Sequence, residues 1–267
     1  MEEKELSREK LLEQRRELLA SLKYASFIQK AVLPNQRYLE NILSDYFLLF
    51  KPRDIVSGDF YYCTRKDDLI IIAAGDCTGH GVPGALLSIM GVSFLNEILS
   101  VRGPCRPATI LNMLRERVMN ALHQRGKEME NKDAMDMALV VYNTETHELQ
   151  YAGANNPLYH IRKKVLTEIK ADKMPVGINA IEEESFTNHS LQLKPDDIVY
   201  IFSDGYADQF GGPLNKKFKY GPLKEMLIKI SANSMEDQHR ELNNVIDDWK
   251  GDEPQIDDIL FFGIKFV

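Results

Sequence analysis

Leu69-Ile70-Ile71-Ile72-Ala73-Ala74-Gly75-Asp76-Cys77-Thr78-Gly79-His80-Gly81-Val82-Pro83-Gly84-Ala85 is the stretch on which the fold turns. Its first six residues are an unbroken apolar run rich in β-branched side chains, the pattern of a short buried strand. From Val82 to Leu99, Leu86, Leu87, Met90, Phe94 and Ile98 recur at helical spacing. Pro83 suits the first turn of that helix, where its missing N–H is not needed. A carboxylate, Asp76, therefore stands where a core strand ends, ahead of a glycine-rich turn aimed into a helix N-terminus. Such a turn can hold a cation at the carboxylate and an anion at its free N–H groups.

Working outward, strands are predicted at 46–50, 55–62, 69–75, 138–143, 148–152, 158–162, 165–170, 190–193, 198–203 and 259–266. Helices are predicted at 82–99 and 107–124, then at about 221–231 and 234–249. Hairpin-spaced strands with helices grouped in two blocks argue for an α+β sandwich of antiparallel sheets rather than alternating βαβ units. Residues 1–34 read as a separate linker helix ahead of a domain at 35–267, ended by Leu33-Pro34-Asn35. Leu11, Leu18, Leu22, Ala25 and Val32 follow a coiled-coil rhythm that Arg15 and Gln29 interrupt. Taking Ile28 in place of Gln29 restores an apolar stripe suited to docking on the helix's own domain. The sequence leaves both readings open: a weak parallel dimer led in from an upstream sensor, or a docked helix.

Composition narrows the function. A formal charge of −7 gives no reason to expect a nucleic-acid partner. Three cysteines, Cys63, Cys77 and Cys105, fit a reducing, cytoplasmic setting. None begins Cys-x₅-Arg, since the sixth following residues are Leu69, Pro83 and Leu111, so a thiolate phosphatase is disfavoured. No apolar run in the sequence approaches the roughly 18 residues of a membrane span, and no membrane contact is expected of this segment.

Four acidic positions lie at predicted strand ends or beside glycine: Asp59, Asp76, Asp204 and the pair Asp257-Asp258. In antiparallel sheets the end of one strand lies beside the start of the next, so distant carboxylates can converge at one rim. Gathered there they repel unless a cation neutralises them, and hard oxygen ligands select Mg²⁺ or Mn²⁺. Ser57-Gly58-Asp59-Phe60, the Gly75–Ala85 segment, Tyr151-Ala152-Gly153-Ala154-Asn155-Asn156-Pro157-Leu158, Phe202-Ser203-Asp204-Gly205 and Gln255-Ile256-Asp257-Asp258 together resemble the ordered motifs of SpoIIE-type, RsbU-like bacterial serine/threonine phosphatases. These belong to the metal-dependent, type 2C-like PPM superfamily. The resemblance covers about residues 45–267.

The resemblance implies two antiparallel sheets flanked by helices, with two Mn²⁺ or Mg²⁺ ions at one end. By motif, Asp76 would bridge both metals, the Cys77 carbonyl would ligate one, and Asp204 and Asp257 the other. Asp59 would hold a metal directly or through water. Asp133 matches a place where related phosphatases sometimes put a ligand for a third ion. The helix before Pro34 resembles the regulatory linker of the family. Two residues become candidates on chemistry: Arg53 as a phosphate clamp and His80 as proton donor to the leaving oxygen. Two positions depart from the family pattern: the last motif continues with Ile259-Leu260 where Thr is usual at the second place, and Cys77 follows Asp76. The expected activity is hydrolysis of phosphoserine or phosphothreonine by a two-metal-activated water, as the output domain of a signalling protein. The substrate would be a phosphoprotein, by resemblance a STAS-type anti-sigma antagonist. A pseudophosphatase that binds a partner without turnover is the alternative.

Overall fold

The computed structural model describes residues 2–103, 106–125, 131–179 and 185–266; Cys105 lies outside them. In chain order the elements are helices α1 (Glu2–Val32) and α2 (Gln36–Ile42), strands β1 (Tyr46–Lys51), β2 (Phe60–Lys66) and β3 (Leu69–Cys77), and helices α3 (Gly81–Arg102) and α4 (Pro107–Ala121). Strands β4 (Met135–Asn143), β5 (Glu148–Ala154), β6 (Leu158–Arg162), β7 (Val165–Ile169), β8 (His189–Gln192) and β9 (Ile198–Phe202) follow. A short helix α5 (Gly205–Asp208) leads to a small hairpin, β10 (Phe210–Gly211) and β11 (Lys216–Lys217). The chain closes with α6 (Tyr220–Ile230), α7 (Met235–Lys250) and β12 (Ile259–Lys265).

Two five-stranded antiparallel sheets face each other, ordered β1-β12-β9-β6-β7 and β2-β3-β4-β5-β8. The apolar run of β3 is continuous because both of its faces are covered. Ile70, Ile72 and Ala74 pack between the sheets with Val140, Val199, Ile201 and Phe262. Ile71 and Ala73 pack outward with Leu95, Ile98 and Leu111 of α3 and α4. A third cluster, including Phe47, Tyr200, Phe261, Leu227 and Leu242, seats α6 and α7 on the other sheet. The result is the expected α+β sandwich flanked by helices.

Three local expectations change. The segment predicted as a strand from 55 becomes one only at Phe60, so Asp59 precedes the strand rather than lying within it. Its Gly58 N–H is drawn elsewhere, to Asp258 Oδ2 at 2.7 Å, and the Arg53 N–H in the turn before it donates to Asp258 Oδ1 at 2.7 Å. Helix α2 was not foreseen; Asn35 caps it by accepting the N–H of Tyr38 at 2.9 Å, and Leu39 fills the inter-sheet core. Helix α3 does reach the length and composition of a span, with a mean hydropathy of 1.6 over Gly81–Val101. Half of that stretch is buried within the domain, where its apolar side chains face β3 and α4.

The docking of α1 also differs from the apolar stripe through Ile28. Ile28 is exposed, whereas Gln29, Ser26 and Leu33 are buried. Gln29 grips the main chain of one residue on both sides: its Oε1 accepts the Ser57 N–H at 3.0 Å and its Nε2 donates to the Ser57 carbonyl at 2.6 Å. The same Nε2 also reaches Ser88 Oγ of α3 at 2.8 Å. The residue that interrupts the heptad is thus the residue that fastens the helix. Leu11, Leu18, Tyr24 and Phe27 remain exposed.

Candidate metal centre

One end of the sandwich opens into a cavity of about 390 Å³ lined by Asp76, Cys77, His80, Asp136, Asp204 and Asp257, among others. Each carboxylate arrives on a different element. Asp76 is the penultimate residue of β3, Asp136 the second of β4, Asp204 follows β9, and Asp257 precedes β12. The predicted Asp76, Asp204 and Asp257 are therefore brought together. Asp59 sits behind them, buried, with its Oδ2 accepting the Ser203 hydroxyl at 2.6 Å. That Ser203 oxygen in turn accepts the Leu260 N–H at 3.0 Å. Leu260, where the family pattern has Thr, points into the inter-sheet core, and the hydroxyl at this place comes from Ser203.

The other candidates lie at the margin. His80 is half exposed, with Nδ1 2.9 Å from Asp54 Oδ2. Arg53 does not line the cavity; its Nη1 donates to the Ile256 carbonyl at 2.9 Å and so steadies the approach to Asp257. Asp133 is also outside the lining, with Oδ2 accepting from Asn131 and its carbonyl from Gln124. The Cys77 carbonyl lies within 3.3 Å of where a Cβ on Gly58 would be, and its thiol is buried.

Electrostatics mark this end as short of positive charge. Burial pushes the Asp76 and Asp59 carboxyls well above the usual range, and neighbouring carboxylates add to the shift. Burial, then Asp208, Asp257 and Asp136, raises Asp204 to about 6. Asp136 and Asp257 are raised by burial too, each eased by one hydrogen bond. The donor type and the crowding of negative charge fit hard divalent cations. Among the described residues no three acidic, His or Cys side chains already stand at the spacing of a bound ion, so the fit rests on donor chemistry and charge.

Three residues have roles that the sequence alone does not disclose. Asp258 organises the 53–58 segment through the two N–H groups described above. Gln209, fully buried, accepts the Ile256 N–H at 3.2 Å and donates to the Pro254 carbonyl at 3.0 Å, framing the loop before Asp257. Asp136 was passed over in favour of Asp133, although a charge between Met135 and Met137 in an apolar strand was a readable signal.

The fold and its carboxylate rim define a class, the type 2C phosphatase domain. The SiaA phosphatase domain of Pseudomonas aeruginosa superposes with a TM-score of 0.86 at 30% identity, covering 95% of this chain and 99% of that one. The corresponding domain of SpoIIE from Bacillus subtilis superposes with a TM-score of 0.68 at 16% identity, over 83% and 63% of the two chains. RsbX, solved with magnesium, shares the fold at a TM-score of 0.54 and 12% identity, over 83% and 94%. The family model for stage II sporulation protein E matches residues 66–267, so the chain belongs to the SpoIIE family. The phosphoserine phosphatase RsbU of Bacillus subtilis is 26% identical over 198 residues, 72% of this chain. The match takes in 55% of RsbU, about half of that relative's length.

Proposed function

We propose that this chain is a metal-dependent protein serine/threonine phosphatase acting on a phosphoprotein, as the output domain of a bacterial signalling protein. The observation that carries the proposal is the convergence of Asp76, Asp204 and Asp257 on one cavity, with Asp59 behind them. Asp76, Asp204, Asp257 and the Cys77 carbonyl would hold two Mn²⁺ or Mg²⁺ ions. When bound, such ions supply the Lewis acidity that activates water and offsets phosphoryl charge. Ser203, donating to Asp59 Oδ2, holds that carboxylate behind the site. His80, steadied by Asp54, is suited to protonate the leaving serine oxygen. Arg53 spends one nitrogen on Ile256, and the rest of its fork suits a phosphate oxygen.

The same reading makes the protein cytoplasmic and its substrate a switch protein of the STAS type. It makes α1 the route by which an upstream sensor acts, through the Gln29 grip on Ser57, two residues from Asp59. The exposed Leu11 and Leu18 would form a weak homodimer with a second copy of α1. A pseudophosphatase role is disfavoured, because a binding module gains nothing from crowding unneutralised carboxylates. The test is phosphate release from candidate phosphoproteins. Turnover with Mn²⁺ or Mg²⁺ and none with excess EDTA is expected; undiminished turnover in EDTA overturns the proposal.

A further inference from the structure

The four carboxylates assigned above leave a fifth without a role. We propose that Asp136 is itself a direct ligand of the divalent-cation centre, presented from the strand opposite Asp76 and set in place by Asn155. The inference rests on the metal-dependent reading and adds a ligand to it.

Asp76 and Asp136 are register partners in the β3–β4 ladder. Directly paired residues project to the same face with Cβ atoms about 4.5–5.5 Å apart, and like charges so placed destabilise a sheet. Asp is also a poor strand residue, yet both ladder positions hold one. Among the described residues no ion pair joins either carboxylate to a cation, although Lys132 lines the same cavity. Both line the cavity that Asp204 and Asp257 also line.

Asn155 gives Asp136 a defined orientation. It follows β5 in the left-handed region, φ 58°, and its N–H is anchored on the Asp172 carbonyl at 2.9 Å. From there Nδ2 donates to Asp136 Oδ1 at 2.7 Å. One carboxylate oxygen is thereby fixed and the other left to serve as a ligand, the arrangement by which outer partners orient metal-binding side chains.

Chelator-stripped protein titrated with Mn²⁺ by isothermal calorimetry tests this without reference to turnover, using wild type, Asp136→Asn, Asn155→Ala and Asp76→Asn. Asp136→Asn keeps the shape and an oxygen for Asn155, and removes only the charge. The Mn²⁺ affinity should fall at least about tenfold, with a smaller metal-induced rise in Tm; Asn155→Ala should weaken binding several-fold. Wild-type affinity and stoichiometry in Asp136→Asn, with binding lost in Asp76→Asn, overturns the proposal and leaves the centre standing. Absence of Mn²⁺ binding by the wild type sinks the metal-dependent reading instead. If Asp136→Asn does not fold, Asn155→Ala decides: unchanged affinity there rejects the assignment.

Discussion

Strand β9 runs between two aspartates with opposite fates, Asp197 buried and Asp204 half-buried. Asp197 immediately precedes it and Asp204 lies just beyond its end. At the Asp197 pole, burial alone would raise the carboxyl. Arg162 nevertheless donates Nε and Nη2 to it at 2.8 and 2.5 Å, and the Lys194 N–H adds 2.9 Å. His160 Nε2 lies 3.1 Å away, without a hydrogen bond of good geometry. The outcome is a carboxyl held below its ordinary value. At the other pole Asp204, Asp76 and Asp257 stand half-buried beside one another and all are raised. The same side chain and the same strand give a structural ion pair at one end and an unmet demand for cations at the other. A site is recognised here by what the protein leaves uncompensated.

The comparison breaks most visibly at the metal pole. Asp76→Asn or Asp204→Asn should lower phosphate release at saturating Mn²⁺ by at least about 100-fold, as befits a ligand rather than an outer partner. Metal-free, these variants should be as stable as wild type or slightly more so, since one repelling charge is gone. Near wild-type rates would show that the two poles do not differ in function.

Asp197→Ala should do the reverse. Leaving Arg162 and the Lys194 N–H without their partner costs about 2–4 kcal/mol in urea unfolding, while Mn²⁺ affinity stays unchanged. Loss of metal binding in that variant would mean the poles are coupled. Gln29→Ala comes next. It strands the buried Ser57 peptide, at about 1–3 kcal/mol. Because Ser57 adjoins Gly58 and Asp59, phosphatase rate and Mn²⁺ affinity should fall with it; a stability loss alone would confine Gln29 to docking.

Titration sharpens the contrast further. Folding raises Asp204 from 3.8 to about 6, so the metal-free folded state holds that proton more tightly than the unfolded chain. This contribution is full below about pH 4 and is lost as pH rises through about 6. Asp197, lowered on folding, contributes above its unfolded value and loses that contribution as pH falls. Thermal melts in EDTA should therefore show Asp204→Asn flattening the fall between pH 4 and 7. Mn²⁺ should flatten it in the wild type. The smallest effect belongs to α1. Leu11→Asp with Leu18→Asp alters two exposed side chains, so the fold should stand and only the sedimentation coefficient should drop. A value unchanged from wild type would remove the dimer.

Much of this was legible in the chain. The β3 run announced a strand covered on both faces, and Asp76, Asp204 and Asp257 stood at strand ends where antiparallel pairing gathers them. What the sequence hid depends on pairing between segments. That Asp136 faces Asp76 is a matter of ladder register, and only the β3–β4 partnership reveals it. That 55–59 is not strand is tied to Asp258, 200 residues from Gly58, which takes the Gly58 N–H. Gln29 reads as a flaw in a heptad because its partners are main-chain groups of Ser57, which have no signature of their own.

Gly58, Gly79 and Gly84 meet where the segment before β2, the turn after β3 and the start of α3 converge. A Cβ on Gly84 would stand 2.4 Å from the Gly79 carbonyl oxygen and 2.8 Å from Gly58 Cα. Main chain therefore touches main chain, with no side chain between to absorb a displacement by changing rotamer. In mechanical terms the joint is a stiff bearing. On the proposed regulatory reading, a small tilt of α1 carried by Gln29 to Ser57 would pass through this joint to the turn that follows Asp76 and Cys77. The helix and the carboxylate rim are joined over a short path by main-chain contact alone.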